Sequence, residues 1–360
     1  MARLQDLDPN FSVKCDFNPE EFDFYNVEET PFVVEGLLKE ENGFCRLPSA
    51  LAEQVNPGVN QMNWHTAGGR ARFRSNTTRM VIVTRQHVLP RFSHMPLTGV
   101  RGFDLYSVWD GEEHYERTFV PPFAPDEKYT SMVQLYSYFL NDDRKTEVRD
   151  MTLNFPLYAG VKELLIGLEK GSVLEAPTPC RLELPIVYYG SSITQGGCAS
   201  RPGNCYSSMI SRRLNCPQIN LGFSGNAKGE TLMAEYIRDL PMAAFVYDYD
   251  YNAPSIEHLE QTHEPFFRII REANPELPII FMSIPKHRLK PGEALRREVV
   301  KRTYENALAA GDKNVYFLGG PELIAMCGTD WGVDNVHPND LGFSAMAKGV
   351  GDLLEKLLIG

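Results

Sequence analysis

The chain changes rhythm once, near residues 174–185, and that change limits the folds open to it. Before it, short runs alternate apolar and polar residues: Ala71-Arg72-Phe73-Arg74, Met80-Val81-Ile82-Val83-Thr84, residues 103–109, Thr118-Phe119-Val120, residues 132–136 and 161–168. Period two, enrichment in β-branched and aromatic residues, and Gly, Pro, Asn and Asp between the runs predict antiparallel strands. Asp110-Gly111 and Asn141-Asp142-Asp143 predict hairpin turns. After the joint Glu175-Ala176-Pro177-Thr178-Pro179, compact apolar runs at 186–190, 218–223, 243–250, 278–284 and 314–319 alternate with longer amphipathic segments. Runs of this kind suit strands buried on both faces of a parallel sheet with helices between them. Residues 1–175 therefore read as a β-sandwich of jelly-roll type, and residues 184–360 as a doubly wound α/β unit. With 360 residues, 43% of them hydrophobic, the chain can bury at least one large core.

The net charge of −11 and pI near 5.3 argue against a nucleic-acid partner, which needs a basic patch or stripe. No run approaches the roughly 18 apolar residues of a membrane span, and residues 1–16 lack the apolar core of a secretory signal. The seven cysteines are odd in number and show no Cys-x-x-Cys, which fits a cytoplasmic chain with reduced thiols. Cys198 and Cys205 flank one loop and are the pair that could bridge under oxidising conditions. No metal or cofactor is expected. Seven of the eight histidines show no ligand spacing and read as surface or packing residues.

Ligands of an open α/β sheet bind beyond the carboxyl ends of its strands, and four candidate groups fall at such ends. Gly190-Ser191-Ser192-Ile193-Thr194-Gln195-Gly196 follows the first strand and would expose a serine hydroxyl at the sheet rim. Taken alone, either serine is as readily a turn or cap residue. Asp334-Asn335-Val336-His337-Pro338, far downstream, puts a carboxylate three residues from an imidazole, so that one can orient the other. The competing reading is a capping loop for a helix over 341–358, with Asn339 or Asp340 as the cap. Gly225, after the second strand, can offer a backbone N–H to an oxyanion, and Asn252, after the third, a side-chain N–H. Each also suits a plain turn.

Residues 184–360 resemble the GDSL or SGNH hydrolase superfamily, named for a Ser, Gly, Asn and His in separate blocks. Gly190-Ser191-Ser192 matches the first block, with Ser191 where aspartate is usual; Ser224-Gly225-Asn226 matches the second and Asp334–His337 the last. The third block, usually Gly-x-Asn-Asp, reads Asp248-Tyr249-Asp250-Tyr251-Asn252 here, and Asn252 is assigned by its place after the strand. The resemblance implies a flavodoxin-like three-layer α/β/α fold on a five-stranded parallel sheet. It implies Ser192 as nucleophile, His337 as base, Asp334 as its orienting acid, and the Ser192 and Gly225 amides with the Asn252 side chain as oxyanion hole.

A β-sandwich ahead of such a unit resembles bacterial carbohydrate acetylesterases. That implies an acetylated manno- or xylo-oligosaccharide as substrate, with the N-terminal part as a candidate carbohydrate-binding domain. Trp331, just before the catalytic loop, and Trp64, in a Gly-rich patch, are candidate substrate-lining aromatics. Rival readings are a general short-chain esterase or acyltransferase on the same residues, and a sugar-binding protein whose hydrolase half is inactive. A homodimer is the common assembly for such a chain, and no nucleic-acid or membrane partner is expected.

Overall fold

The computed structural model describes residues 18–122, 132–138 and 147–360, with only the backbone of 132–138. Its N-terminal part holds two large antiparallel sheets and a two-stranded one, Leu38–Glu40 with Gly43–Cys45. One runs in the order Phe22–Asn26, Gly160–Glu169, Arg79–Val88, Met132–Tyr138. The other runs Leu174–Glu175, Arg70–Ser75, Arg149–Asn154, Phe103–Trp109, Glu112–Phe119, and Val33–Glu35 also pairs with Arg70–Ser75. Phe73, Leu105 and Leu153 from one sheet and Ile82, Leu164 and Ile166 from the other share a buried core. Burying an aliphatic or aromatic side chain of this kind is worth roughly 1.5–3 kcal/mol. Asp110 and Gly111 close their hairpin with φ of 52° and 83°, the left-handed pair that a two-residue turn requires. The turn expected at 141–143 lies outside the described residues.

Strict alternation fails on the second sheet. In Phe103–Trp109 six of seven residues are buried, so its outer face does not meet solvent. That face lies on the C-terminal part. Arg70 donates to Ser211 Oγ at 2.6 Å and to the Cys216 carbonyl at 2.8 Å, while buried Asp104 accepts from Arg201 and from the Gly203 amide, both at 2.8 Å. Leu174–Glu175, expected in the joint, completes this sheet by pairing with Arg74 and Ser75.

In the C-terminal part the five strands are β1 (Ile186–Gly190), β2 (Gln218–Gly222), β3 (Ala244–Asp248), β4 (Ile279–Met282) and β5 (Val315–Leu318), all parallel in the order β2-β1-β3-β4-β5. This is the flavodoxin-like order, with its switch point between β1 and β3. Successive side chains of β1 enter opposite cores. Ile186 and Tyr188 join α1 (Tyr206–Leu214) and α5 (Asp340–Leu358) on one face. Val187 and Tyr189 join α2 (Thr231–Arg238), α3 (Ile256–Ala273) and α4 (Pro291–Ala309) on the other. The result is the three-layer α/β/α arrangement. Both cores also take side chains from the N-terminal part: Ala67, Met95, Leu157 and Tyr158 in the first, Leu47, Ala52 and Val59 in the second. Two short helices missed by the period-two reading, Ser49–Val55 and Pro57–Met62, supply Ala52 and Val59.

Candidate active site

β1 ends at Gly190, where any side chain would sit 2.2 Å from the Asp248 carbonyl of the neighbouring strand. Ser191 follows and its Oγ accepts from the Ile193 amide at 3.1 Å, capping the single helical turn Ser192–Gln195. Gly196, at φ 101°, ends that turn. Ser191 is thus the cap, and Ser192 is the first helical residue, whose N–H has no partner within the turn. Ser192 Oγ lies 2.9 Å from His337 Nε2.

His337 comes from the loop before α5. Asn339 caps that helix, its Oδ1 accepting from Gly342 N at 3.0 Å, while its Nδ2 reaches the Asp330 carbonyl at 2.8 Å and its own N–H the Trp331 carbonyl at 3.0 Å. The expected cap is present, and the same loop also carries the Asp334–His337 pair. Gly332 bridges Pro338, and Val333 N donates to the His337 carbonyl at 2.9 Å. Asn335, in the left-handed region at φ 63°, turns the chain so that Asp334 faces back toward His337. Asp334 Oδ1 accepts from the amides of His337 (2.8 Å) and Val336 (3.1 Å), and Oδ2 meets His337 Nδ1 at 2.7 Å. Burial pushes the Asp334 carboxyl up, but these His337 and Val336 bonds outweigh it and hold the group below its ordinary value. Asp334, His337 and Ser192 therefore form one hydrogen-bonded chain at the carboxyl rim of β1.

The second edge of the site follows β2 and β3. Gly225 sits at φ 68° with open space where a side chain would project, so its glycine answers to backbone conformation and not to crowding. Asn252 Nδ2 donates to the Phe223 carbonyl at 2.9 Å, which ties the loop after β3 to the Gly225 loop. Gln195 locks the same loop to the serine turn: its Oε1 accepts from Ser224 N at 3.0 Å, and its Nε2 donates to the Leu157 carbonyl at 3.1 Å and to His65 Nδ1 at 3.0 Å. Burial, and next the Arg46 guanidinium, depress the His65 imidazole to about 3, so His65 is neutral and free to accept at Nδ1. Behind β3, burial and then neighbouring Asp250 push the Asp248 carboxyl up to about 7, against the Thr194 hydroxyl that donates to it at 2.9 Å.

The N-terminal part builds the remaining wall. Arg46, fully buried, donates to the Gly222 carbonyl at the end of β2 and to the Met62 carbonyl (2.6 Å), and lies 4.2 Å over the Phe223 ring. Tyr158 OH reaches the Ser192 carbonyl at 3.3 Å. His94 stands beside the Asp334–His337 loop, its ring centroid 5.4 Å from that of His337 and its carbonyl accepting from Cys198 Sγ at 3.4 Å. Phe92, exposed, packs edge-on against both His94 and Tyr158. No sequence motif marks Arg46, His65, His94 or Tyr158. Gln195 lies inside the serine block, and His65 lies in the Gly-rich patch that holds Trp64.

Two expectations need correction, one at Trp331 and one at two of the histidines. Trp331 is only 3% exposed and belongs to the buried cluster of Phe343 and Met346, so it anchors the loop from behind and does not line a mouth. Trp64, half-buried, packs its ring edge-on against exposed His87, and its neighbour His65 is the residue that reaches the serine turn. Cys198 and Cys205 are both free thiols, donating to the His94 and Thr194 carbonyls. Two histidines read as packing residues, His65 and His94, stand at the site.

Comparison with known proteins follows this division. The GDSL-like Lipase/Acylhydrolase family matches residues 183–355, and the N-terminus of SGNH-hydrolase-type esterases matches residues 22–174. No curated protein matches the sequence significantly. Among solved structures, a GDSL-like protein from Bacteroides ovatus ATCC 8483 is 27% identical, with a TM-score of 0.81 over 94% of this chain and 98% of that one. The salicylyl-acyltransferase SsfX3 of a tetracycline biosynthetic pathway is similar at 20% identity and TM-score 0.72, over 92% and 96% of the two chains. The acetyl xylan esterase Est2A of Butyrivibrio proteoclasticus is similar at 14% identity and TM-score 0.55, over 93% and 98%. The last two likenesses speak for the fold. Among the described residues no helix is long and apolar enough to cross a membrane. With the flavodoxin-like sheet, the blocks at its rim and matches that together take in both parts of the chain, this protein belongs to the GDSL/SGNH hydrolase superfamily, with the N-terminal unit of SGNH-type esterases.

Proposed function

We propose that this SGNH-type esterase removes O-acetyl groups from plant-derived manno- or xylo-oligosaccharides through an acyl-serine intermediate. The observation that carries the reading is the relay from Asp334 Oδ2 through His337 to Ser192 Oγ, at 2.7 and 2.9 Å. In this mechanism Ser192 Oγ attacks the ester carbonyl as His337 Nε2 takes its proton. Asp334 holds the imidazole with Nδ1 protonated and stabilises the imidazolium that forms. The Ser192 and Gly225 amides and the Asn252 side chain receive the oxyanion. His337 then protonates the leaving sugar alcohol, and water repeats the sequence to free acetate and restore the serine.

The acetyl preference draws support from the similarity to the acetyl xylan esterase and from the short, glycine-framed loops around Ser192. A second reading, acyl transfer to an alcohol other than water, draws support from the similarity to SsfX3 and from exposed Phe92 beside His94 and Tyr158, an aromatic wall suited to a flat acyl or acceptor group. Acetate release from a panel of acetylated oligosaccharides, with wild type beside Ser192→Ala, tests the first. Ser192→Ala should lower kcat/KM by ~10⁴–10⁶-fold, with an unchanged urea midpoint. Full activity in the variant removes Ser192 from the mechanism. Ester product in the presence of an added alcohol, in excess of free acid, would favour transfer.

A further inference from the structure

We propose that His94, Cys198 and His337 form a binding site for a borderline-soft divalent cation, with Zn²⁺ as the fitting case, and that its occupancy reversibly switches the esterase off. One ligand atom from each of these residues lies within 4.8 Å of the other two. Two imidazoles and a thiol are a donor set for zinc or cadmium; magnesium and calcium want oxygen. In a tetrahedral zinc centre the ligand atoms stand about 3.5 Å apart, so the longest gap has to close by roughly 1 Å, within the reach of side-chain rotation. Cys198 is held toward the other two by its backbone: it sits at φ 75°, a left-handed conformation seldom taken outside glycine, and its thiol lies against the His94 carbonyl.

His337 is already arranged as a metal ligand would be. Its Nδ1 is held by Asp334 at 2.7 Å, the carboxylate–histidine pairing that fixes the tautomer of ligating histidines. The nitrogen left for a cation is Nε2, the one that meets Ser192. Binding therefore puts the cation where the serine proton has to go, releases one proton from the Cys198 thiol to solvent, and leaves a fourth position for water. His94 reaches this place from the N-terminal part and Cys198 from the turn after Ser192, so the site exists only because the two parts are packed together.

This inference rests on the esterase reading for its effect on rate, but not for binding, and the test separates the two. Co²⁺ is titrated into the full chain and thiolate-to-metal charge-transfer absorption is followed, beside Zn²⁺ inhibition of 4-nitrophenyl acetate hydrolysis and its reversal by chelator. One ion per chain, with a charge-transfer band, is expected in the wild type and in Ser192→Ala. Cys198→Ser should lose the band, and both Cys198→Ser and His94→Gln should need at least about tenfold more Zn²⁺ for half-inhibition. Cys180→Ser, at a half-buried thiol beside Arg72 and Glu35, should change neither readout. A band that survives in Cys198→Ser, or the same half-inhibiting Zn²⁺ in wild type, Cys198→Ser and His94→Gln, overturns the site. A band in a chain without esterase activity sinks the esterase reading alone; an active esterase without a band sinks the metal site alone.

Discussion

The two sides of the candidate site are built in opposite ways. The serine side is buried and over-determined: Ser191 caps the turn, Gly190 and Gly222 leave no room for side chains, and Gln195 binds three neighbours at once. The acid–base side is a loop at the surface, with the Asp334 side chain 35% exposed and its position set by a few backbone bonds and the Asn339 cap. A nucleophile has to stay put against the oxyanion donors, and a rigid core provides that. The imidazole has to exchange protons with substrate and water, and a rim loop gives it access. Substitutions on the two sides should therefore separate activity from stability.

The largest separation is expected at Asp334→Asn. It keeps the acceptor oxygen for the His337 and Val336 amides but loses the charge that pairs with the imidazolium. The expected outcome is ~10³–10⁴-fold lower kcat, with the urea midpoint shifted by less than about 1 kcal/mol equivalent. Steady-state hydrolysis and equilibrium unfolding measured on one preparation check it; a large loss of stability would mean that the rim loop is as structural as the serine turn. Next is Asn252→Ala, expected to lower kcat by ~10²–10³-fold at nearly constant KM if the amide serves the oxyanion. A change confined to stability would reduce Asn252 to its bond with the Phe223 carbonyl.

Gln195→Leu should behave in the reverse way to Asp334→Asn. It strands the Ser224 amide, the Leu157 carbonyl and the His65 ring inside the protein, at roughly 1–3 kcal/mol for each group left unsatisfied, while only loosening the Gly225 loop. The unfolding midpoint should fall strongly and kcat by about tenfold or less. The smallest effect concerns pH. Asp248, raised to about 7 by burial and Asp250, binds its proton more tightly in the native state than in the unfolded chain. Stability from this group is then greatest below the unfolded value near 4 and falls as pH rises through about 7. Asp250, raised to about 6, acts with the same sign. Asp334, lowered, acts with the opposite sign and only below about 4. Urea midpoints at pH 5 and pH 8 should differ less in Asp248→Asn than in wild type; equal slopes would deny Asp248 its proton at pH 5.

Much of the fold can be read locally. The apolar runs of β1 to β5 and the alternation in Arg79–Val88 report strands because side-chain period is a local consequence of backbone geometry. The strand Arg149–Asn154 and the pairing of Leu174–Glu175 escape notice because polar and proline-flanked residues there answer to the packing of one part on the other. The same cause hides Arg46, buried as a guanidinium among main-chain carbonyls, which no periodicity would place inside. The Ser192 and Asp334–His337 blocks are legible because each packs its chemistry into a few consecutive residues.

What the sequence determined alone is therefore the alternation of strands and helices, the joint near residue 175, and the two short blocks that carry a serine, a carboxylate and an imidazole. Tertiary structure decided which serine caps and which meets the histidine, that Trp331 anchors the loop from within the core, and that His94 and Tyr158 of the sandwich part stand at the rim of a sheet formed by the other half. The reason is that hydrogen-bond periodicity acts over a few residues, whereas the meeting of distant loops depends on how two apolar cores and a buried polar interface close on each other.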